Sequence, residues 1–284
     1  MEVVRAERAG FCMGVDLALR KLNKVLDDPA PPGPVYNLGS IIHNPQVISG
    51  YAARGVVTVN SPAEIPAGAS VVIRAHGVPR EVHHVLEGGG VNVVDGTCPK
   101  VQEACRLIDR KTRDGRKLLL YGEAAHPEVK CLVSHAAAGS IVFDSLKKCE
   151  DLELDSDAKY CLAAQTTQDK EIFDIIVKSF ENRKALDITL LETICDATKK
   201  RQEEAIRIAG DVDYVVVVGG YGSSNTRRLA QVVNAQGTKA VHVERPDELP
   251  LNELKQCRKV GLAAGASTPK NIVDEIHHLL EDLS

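Results

Sequence analysis

One local pattern occurs three times in this chain and limits what it can fold into. A short β-type run leads to a cysteine, and the cysteine opens an amphipathic helical stretch. Gly10-Phe11-Cys12 precedes Val15, Ala18, Leu19, Leu22, Val25 and Leu26. Gly96-Thr97-Cys98 precedes Val101, Ala104, Cys105 and Ile108, and Thr193-Ile194-Cys195 precedes Thr198, Ala205, Ile208 and Ala209. The three cysteines lie roughly 90 residues apart, the spacing of copies of one structural unit.

Strand candidates fill the intervals evenly. Between the first two cysteines come Val35 to Leu38, Val56 to Val59, Val71 to Ile73 and Val91 to Val94. Between the second and third come Lys117 to Tyr121, Ile141 to Phe143, Tyr160 to Ala163 and Ile188 to Leu191. Only Tyr214 to Val218, Ala240 to Val243 and Val260 to Ala263 follow Cys195, and Val3-Val4 supplies the missing fourth. Continuous apolar runs such as Tyr214 to Val218 suit strands buried on both faces, and strands alternating with helices indicate largely parallel α/β sheets. The expectation is therefore three small α/β domains, residues 14–97, 98–193 and 194–284, arranged pseudo-threefold around one centre. The N-terminal segment 1–13 completes the third.

Composition narrows the function classes. A length of 284 residues is long for one ordinary domain and fits several small ones. The net charge of −4, without a Lys/Arg block, carries no nucleic-acid signal. No apolar run approaches the ~20 residues that span a bilayer. The first residues do not read as a secretion signal, so the cytosol is the expected compartment. In that compartment eight cysteines point to metal, cluster or catalytic roles rather than disulfides. No Cys-x-x-Cys pair is present, so a metal site has to be assembled from distant segments.

In parallel α/β sheets ligands bind beyond the carboxyl ends of the strands. Those ends carry Gly39 to Pro45 with His43, Arg74 to Gly77 with His76, and Gly122 to Glu128 with His126. They also carry Gln165-Thr166-Thr167, Gly219 to Thr226 with Ser223, Ser224 and Asn225, and Gly265 to Thr268 with Ser267. A thiolate at a helix start is stabilised by the dipole and by free N–H groups. Three such thiolates suit an anionic iron–sulfur cluster and leave one iron open to a substrate oxygen. The imidazoles, hydroxyls and amides suit a phosphate, and the Gly-Ser-Ser-Asn stretch opening a helix is an anion cradle. Glu128 is the natural proton donor among these loops, with Glu123 its neighbour.

These segments resemble the LytB-type family of 4-hydroxy-3-methylbut-2-enyl diphosphate reductases. The matching motifs are Ala9 to Val15, His43-Asn44-Pro45, Arg74 to Val78, Gly96 to Pro99, His126 to Val129, Gln165-Thr166-Thr167, Ile194 to Thr198 with Arg201-Gln202, Ser223 to Thr226, and Ala264 to Pro269. They run in family order along nearly the whole chain. The resemblance implies a 4Fe-4S cluster on Cys12, Cys98 and Cys195, and reduction of an allylic alcohol diphosphate to isopentenyl and dimethylallyl diphosphates. It implies His43, His76, Ser223, Ser224, Asn225 and Ser267 around the diphosphate, with His126 beside it. It also implies Glu128 and Thr166 at the substrate hydroxyl, and a ferredoxin or flavodoxin as electron donor. The chain departs from the family pattern at Ala125, across Lys130 to His135, and at Ala263.

Other features carry less. Cys105, Cys149, Cys161 and Cys257 read as structural, and so does Cys131, with a redox role open because it adjoins an active loop. His83, His84, His135, His242, His277 and His278 read as surface or ordinary helix residues. Gly219-Gly220-Tyr221-Gly222 lacks the full dinucleotide pattern. The competing readings are a divergent family member with another substrate or a redox-sensing role, and a zinc-stabilised binding protein without turnover.

Overall fold

The computed structural model describes residues 1–29 and 33–283; Ser284, the last residue of the expected third domain, lies outside the described residues. It contains three four-stranded, wholly parallel sheets. The chain opens with β1 (Glu2–Arg5) and α1 (Met13–Leu26). Then follow β2 (Val35–Leu38), α2 (Pro45–Ala53), β3 (Val57–Val59), β4 (Ser70–Ile73), α3 (Arg80–Gly88) and β5 (Asn92–Asp95). Next come α4 (Pro99–Arg113), β6 (Lys117–Tyr121), α5 (Pro127–Ser134), β7 (Ile141–Phe143), α6 (Leu146–Glu150), β8 (Lys159–Ala164), α7 (Lys170–Glu181) and β9 (Asp187–Leu190). The remainder is α8 (Asp196–Ala209), β10 (Tyr214–Val218), α9 (Ser224–Ala235), β11 (Lys239–Val243), α10 (Leu251–Leu254), β12 (Lys259–Ala264) and α11 (Lys270–Glu281). Every strand expected from the sequence is present.

The strand orders are β3-β2-β4-β5, β7-β6-β8-β9 and β11-β10-β12-β1. The first two sheets use four consecutive strands. The last borrows β1, which runs parallel to β12 with Val3 opposite Val260. In all three the last-named strand leads directly to a cysteine. Among the described residues no helix is long and apolar enough to cross a membrane.

The all-apolar strands are explained by what covers each face. Along β10, Val216 and Val218 pack with Ile272, Val273 and Ile276 of α11, whereas Val215 and Val217 pack with Ile208 of α8 and Leu229 and Val233 of α9. In β6, Leu118 and Leu120 meet Val101, Ala104 and Ile108 of α4, and Leu119 and Tyr121 meet Phe173, Ile176 and Phe180 of α7. Successive side chains alternate between faces, so a strand covered on both sides has no polar position. Each fully buried Val or Leu contributes about 1.5–3 kcal/mol.

By density of packing the chain divides into two compact units. One comprises Met1–Asp16, Ile42–Gly50 and Asp196–Ser284; the other comprises Leu17–Ile41 and Tyr51–Cys195. The first holds the β11-β10-β12-β1 sheet and the second holds the other two.

Candidate active site

The three cysteine junctions are built by the same hydrogen bonds. Cys98 N–H donates to the Ala75 carbonyl (2.9 Å), Cys195 N–H to Thr166 (3.0 Å) and Cys12 N–H to Ala266 (3.0 Å). Each acceptor lies two residues beyond the end of the third strand of its sheet, β4, β8 or β12. A second bond also recurs. The glycine after the first strand donates to the last carbonyl of the second: Gly39 to Val59 (2.7 Å), Gly122 to Phe143 (2.8 Å) and Gly219 to Val243 (2.9 Å). Gly39 and Gly219 have φ of 71° and 150°, which disfavours a side chain at the turn. The repeat inferred from cysteine spacing is thus a repeat of backbone bonding.

Each of the three cysteines immediately precedes a helix, α1, α4 or α8, and each residue is partly exposed. The Val15 N–H already points at Cys12 Sγ, 3.5 Å away. Cys105, Cys131, Cys149 and Cys161 are buried and free. Two charged side chains of α8 fasten the Cys12 segment. Arg201, almost fully buried, donates to the carbonyls of Arg8, Gly10 (2.8 Å) and Ala264 (3.3 Å). Glu204 accepts from the N–H groups of Glu7 (2.8 Å) and Arg8 (3.2 Å). Arg201 stands in a quoted motif but had no role from sequence, and Glu204 carried no signal at all.

In the unit holding Cys12, the strand-end loops bring hydroxyls and amides together. Ser223 caps α9 by accepting the Thr226 N–H (3.3 Å), and Ser224 and Asn225 form the first turn. Ser267 Oγ lies 3.4 Å from Ser223 Oγ and donates to the His43 carbonyl at 3.4 Å. Asn44 caps α2 through its Oδ1, which accepts the Val47 N–H (3.0 Å). The Nδ2 groups of Asn44 and Asn225 and the Thr226 hydroxyl are buried with no partner. A buried donor without an acceptor costs about 1–3 kcal/mol, and two of the three, on Asn225 and Thr226, lie in the first turn of α9, an end suited to an anion. A side chain at Gly220 would put its Cβ 2.2 Å from the His43 carbonyl oxygen, so the loops approach as closely as backbone allows.

In the other unit, Glu128 and Thr166 form a closed pair. Glu128 is 2% exposed. The Thr166 N–H donates to its Oε1 (2.6 Å) and the Thr166 hydroxyl to its Oε2 (3.0 Å). Burial pushes the carboxyl up from 4.5 to about 7, and the two Thr166 bonds only partly offset this. The Glu128 N–H donates to Nδ1 of His126 (3.2 Å), so a neutral His126 carries its proton on Nε2. The His76 ring meets His126 edge-on, with centroids 5.3 Å apart. The sequence reading put Glu128 on a loop. It stands instead in the first turn of α5, with His126 as cap and Pro127 at the first helical position. Glu123, the alternative acid, is partly exposed, and its N–H donates to Gln165 Oε1 (3.1 Å).

One histidine was misread. His242 is not helical: it sits on β11, partly buried, its Nε2 2.7 Å from the Gly219 carbonyl. Burial lowers its pKa.

Comparison with known proteins bears on these residues as a set. Residues 3–281 match the family model described as LytB protein. The 4-hydroxy-3-methylbut-2-enyl diphosphate reductase of Oleidesulfovibrio alaskensis is 52% identical over 283 residues, covering 100% of both chains. The enzyme of that name from Clostridioides difficile is 35% identical over 284 residues, again with full coverage. A solved (E)-4-hydroxy-3-methyl-but-2-enyl diphosphate reductase superposes with a TM-score of 0.69 at 32% identity, covering 99% of this chain and 100% of that one. The Plasmodium falciparum reductase structure gives a TM-score of 0.92 over 98% of this chain and 87% of that one; at 24% identity it speaks for the fold alone. A match over almost every residue, with relatives matched end to end, leaves one assignment: the chain belongs to the LytB protein family.

Proposed function

We propose that the chain is an oxidoreductase that removes the hydroxyl of 4-hydroxy-3-methylbut-2-enyl diphosphate, the activity for which its relatives are named. The products are isopentenyl and dimethylallyl diphosphates, in the last step of the methylerythritol phosphate route to isoprenoids. The observation that carries this reading is the thrice-built cysteine junction in a chain that matches reductases along its full length. Family membership implies an iron–sulfur centre, and the donor set fits one. Three partly exposed cysteines stand at helix starts, and one already receives a helical N–H at its sulfur. Cys12, Cys98 and Cys195 would hold a 4Fe-4S cluster. When bound, that cluster supplies two electrons in turn and a Lewis-acidic iron. A ferredoxin or flavodoxin supplies the electrons.

The chain's own residues bind, orient and deliver a proton. His43, His76, Ser223, Ser224, Asn225 and Ser267 hold the diphosphate, and the unpartnered Asn225 amide supports that role. Glu128 protonates the departing hydroxyl so that it leaves as water. A carboxyl near pH 7 is poised for this, and Thr166 holds it in place. His126 orients the start of α5. The repeats 14–97, 98–193 and 194–284 with 1–13 are the three domains, a division supported by the strand content of the sheets. Eight cysteines, none of them in a disulfide, support a reducing, cytoplasmic location.

Iron, sulfide and turnover measured on anaerobically purified protein test the reading. Cys98→Ser abolishes or cripples cluster binding, whereas Cys257→Ala does not. Full iron occupancy in Cys98→Ser protein overturns the ligand assignment.

A further inference from the structure

We propose that Glu244 is a positioning residue for the anion receptor, holding its two halves in one arrangement with the help of Glu248 and Tyr221. One half is the start of α2, with His43 and Asn44 before it. The other is the 219–222 loop that leads into Ser223 and α9. Both belong to the same compact unit. The inference rests on the reading of this receptor as the diphosphate site, and it adds residues outside the donor group.

Glu244 directly follows β11 and engages both halves at once. Its carbonyl accepts the Gln46 side-chain amide of α2 (2.9 Å). Its carboxylate accepts the Tyr221 N–H of the loop (2.6 Å). Its own N–H donates to Glu248 Oε2 (2.7 Å), in the 3-10 turn Pro246–Glu248. That same oxygen accepts the Tyr221 hydroxyl (2.7 Å), so Tyr221 is held at its backbone and at its ring tip. The Tyr221 carbonyl in turn accepts Arg227 Nη1 of α9 (3.0 Å). His242 supports the loop from β11: its Nε2 meets the Gly219 carbonyl at 2.7 Å, and its ring centroid lies 4.8 Å from that of Tyr221. Burial pushes the Glu248 carboxyl up, but the Glu244 N–H and the Tyr221 hydroxyl outweigh this and hold it below the ordinary 4.5, a charged acceptor.

The loop cannot supply this order alone. Three of its four residues are glycines, which lose the most conformational freedom on being fixed. The fit it must make is close, since a Cβ at Gly220 would lie 2.2 Å from the His43 carbonyl oxygen. Glycine permits that approach, and the bonds from Glu244 and Glu248 fix it. The sign of the charge separates this role from a simple electrostatic one. Two carboxylates beside a site for an anion repel that anion, so as charges alone they oppose binding. What they contribute is acceptors in fixed places.

Calorimetric titration of anaerobically purified, iron-loaded protein with inorganic pyrophosphate tests this. Glu244→Ala releases the loop and weakens pyrophosphate about tenfold. Glu244→Gln keeps a carbonyl acceptor for the Tyr221 N–H without the charge, and binds at least as tightly as wild type. Tyr221→Phe loses only the hydroxyl and weakens binding about threefold. Glu253→Gln, which removes a carboxylate elsewhere on the same unit, changes nothing. Tighter binding in both Glu244→Ala and Glu244→Gln shows that the carboxylate acts by charge alone and overturns the proposal. Unchanged affinity in Glu244→Ala overturns it too, and if Asn225→Ala is weakened in the same series the diphosphate reading survives that loss. Wild-type protein that does not bind pyrophosphate removes the diphosphate reading and this inference with it. Should Glu244→Ala lose its helical circular dichroism, Gln46→Ala decides in its place: it cuts only the α2 arm and is expected to weaken pyrophosphate about fivefold, and unchanged affinity there overturns the proposal.

Discussion

The Glu128–Thr166 pair and the Ser223–Asn225–Ser267 group are both strand-end polar clusters opening a helix, yet their bonding is opposite. Glu128 has a donor on each carboxyl oxygen and is saturated. The other group holds a buried amide with no acceptor beside it, and a second amide and a hydroxyl in the same state. A saturated cluster defines the position and protonation of one of its own members. An unsaturated one is complete only with a guest. On the proposed function the first region is finished machinery and the second a receptor, and the two respond differently to substitution.

The largest contrast concerns turnover. Glu128→Gln keeps the carbonyl acceptor for the Thr166 N–H but has no proton to give. It is expected to retain iron and substrate binding while turnover falls about 10²- to 10⁴-fold. Near wild-type turnover moves the acid elsewhere, with Glu123 next to be tested. The same residue governs stability against pH. Its folded pKa of about 7 lies above the ordinary 4.5, so its favourable contribution is full below about 4.5 and lost as pH rises through 7. Denaturant unfolding between pH 4 and 8 should show a decline of up to roughly 3 kcal/mol that is missing in Glu128→Gln. A matching decline in the variant assigns it to other groups.

The receptor side answers in affinity. Asn225→Ala removes a donor to a charged guest, a contribution of about 1.5–3 kcal/mol, and should weaken pyrophosphate roughly 10- to 100-fold with no change in iron. Calorimetry showing equal affinity excludes Asn225 from the diphosphate. The smallest effect sharpens the saturated side. Thr166→Val deletes the hydroxyl bond that stabilises the carboxylate, so the Glu128 pKa rises further and the alkaline limb of the pH–rate profile moves up by roughly one unit. A shift to lower pH shows that the hydroxyl favours the protonated form instead.

Much of this was legible in the sequence, for physical reasons. A strand buried on both faces has no polar position, so runs such as Tyr214 to Val218 announced themselves. Counting strands between cysteines identified β1 as the missing edge, because a parallel repeat short of one strand leaves a vacancy beside β12. What stayed hidden depended on partners remote in sequence. Arg201 reaches carbonyls 193 and 191 residues away, and backbone acceptors have no side-chain signature. The amide of Asn44 was quoted within a motif, but only the fold shows that one end caps a helix while the other is left waiting. Glu128 was singled out by residue type and misplaced by element, since a proline after histidine suits a turn and a first helical position equally.

The pairing of β1 with β12 has a consequence for biosynthesis. On the ribosome, the strands of the two sheets beside Cys98 and Cys195 emerge in sequence and pair with near neighbours. The strand that leads to Cys12 emerges before them and waits until β12 has been translated, since Glu2 faces Lys259. Its backbone edge stays unpaired during that interval, and the acceptor for the Cys12 N–H, the Ala266 carbonyl, arrives later still. If Cys12, Cys98 and Cys195 hold a metal centre as proposed, Cys12 is the last of the three to gain the backbone partner that fixes it.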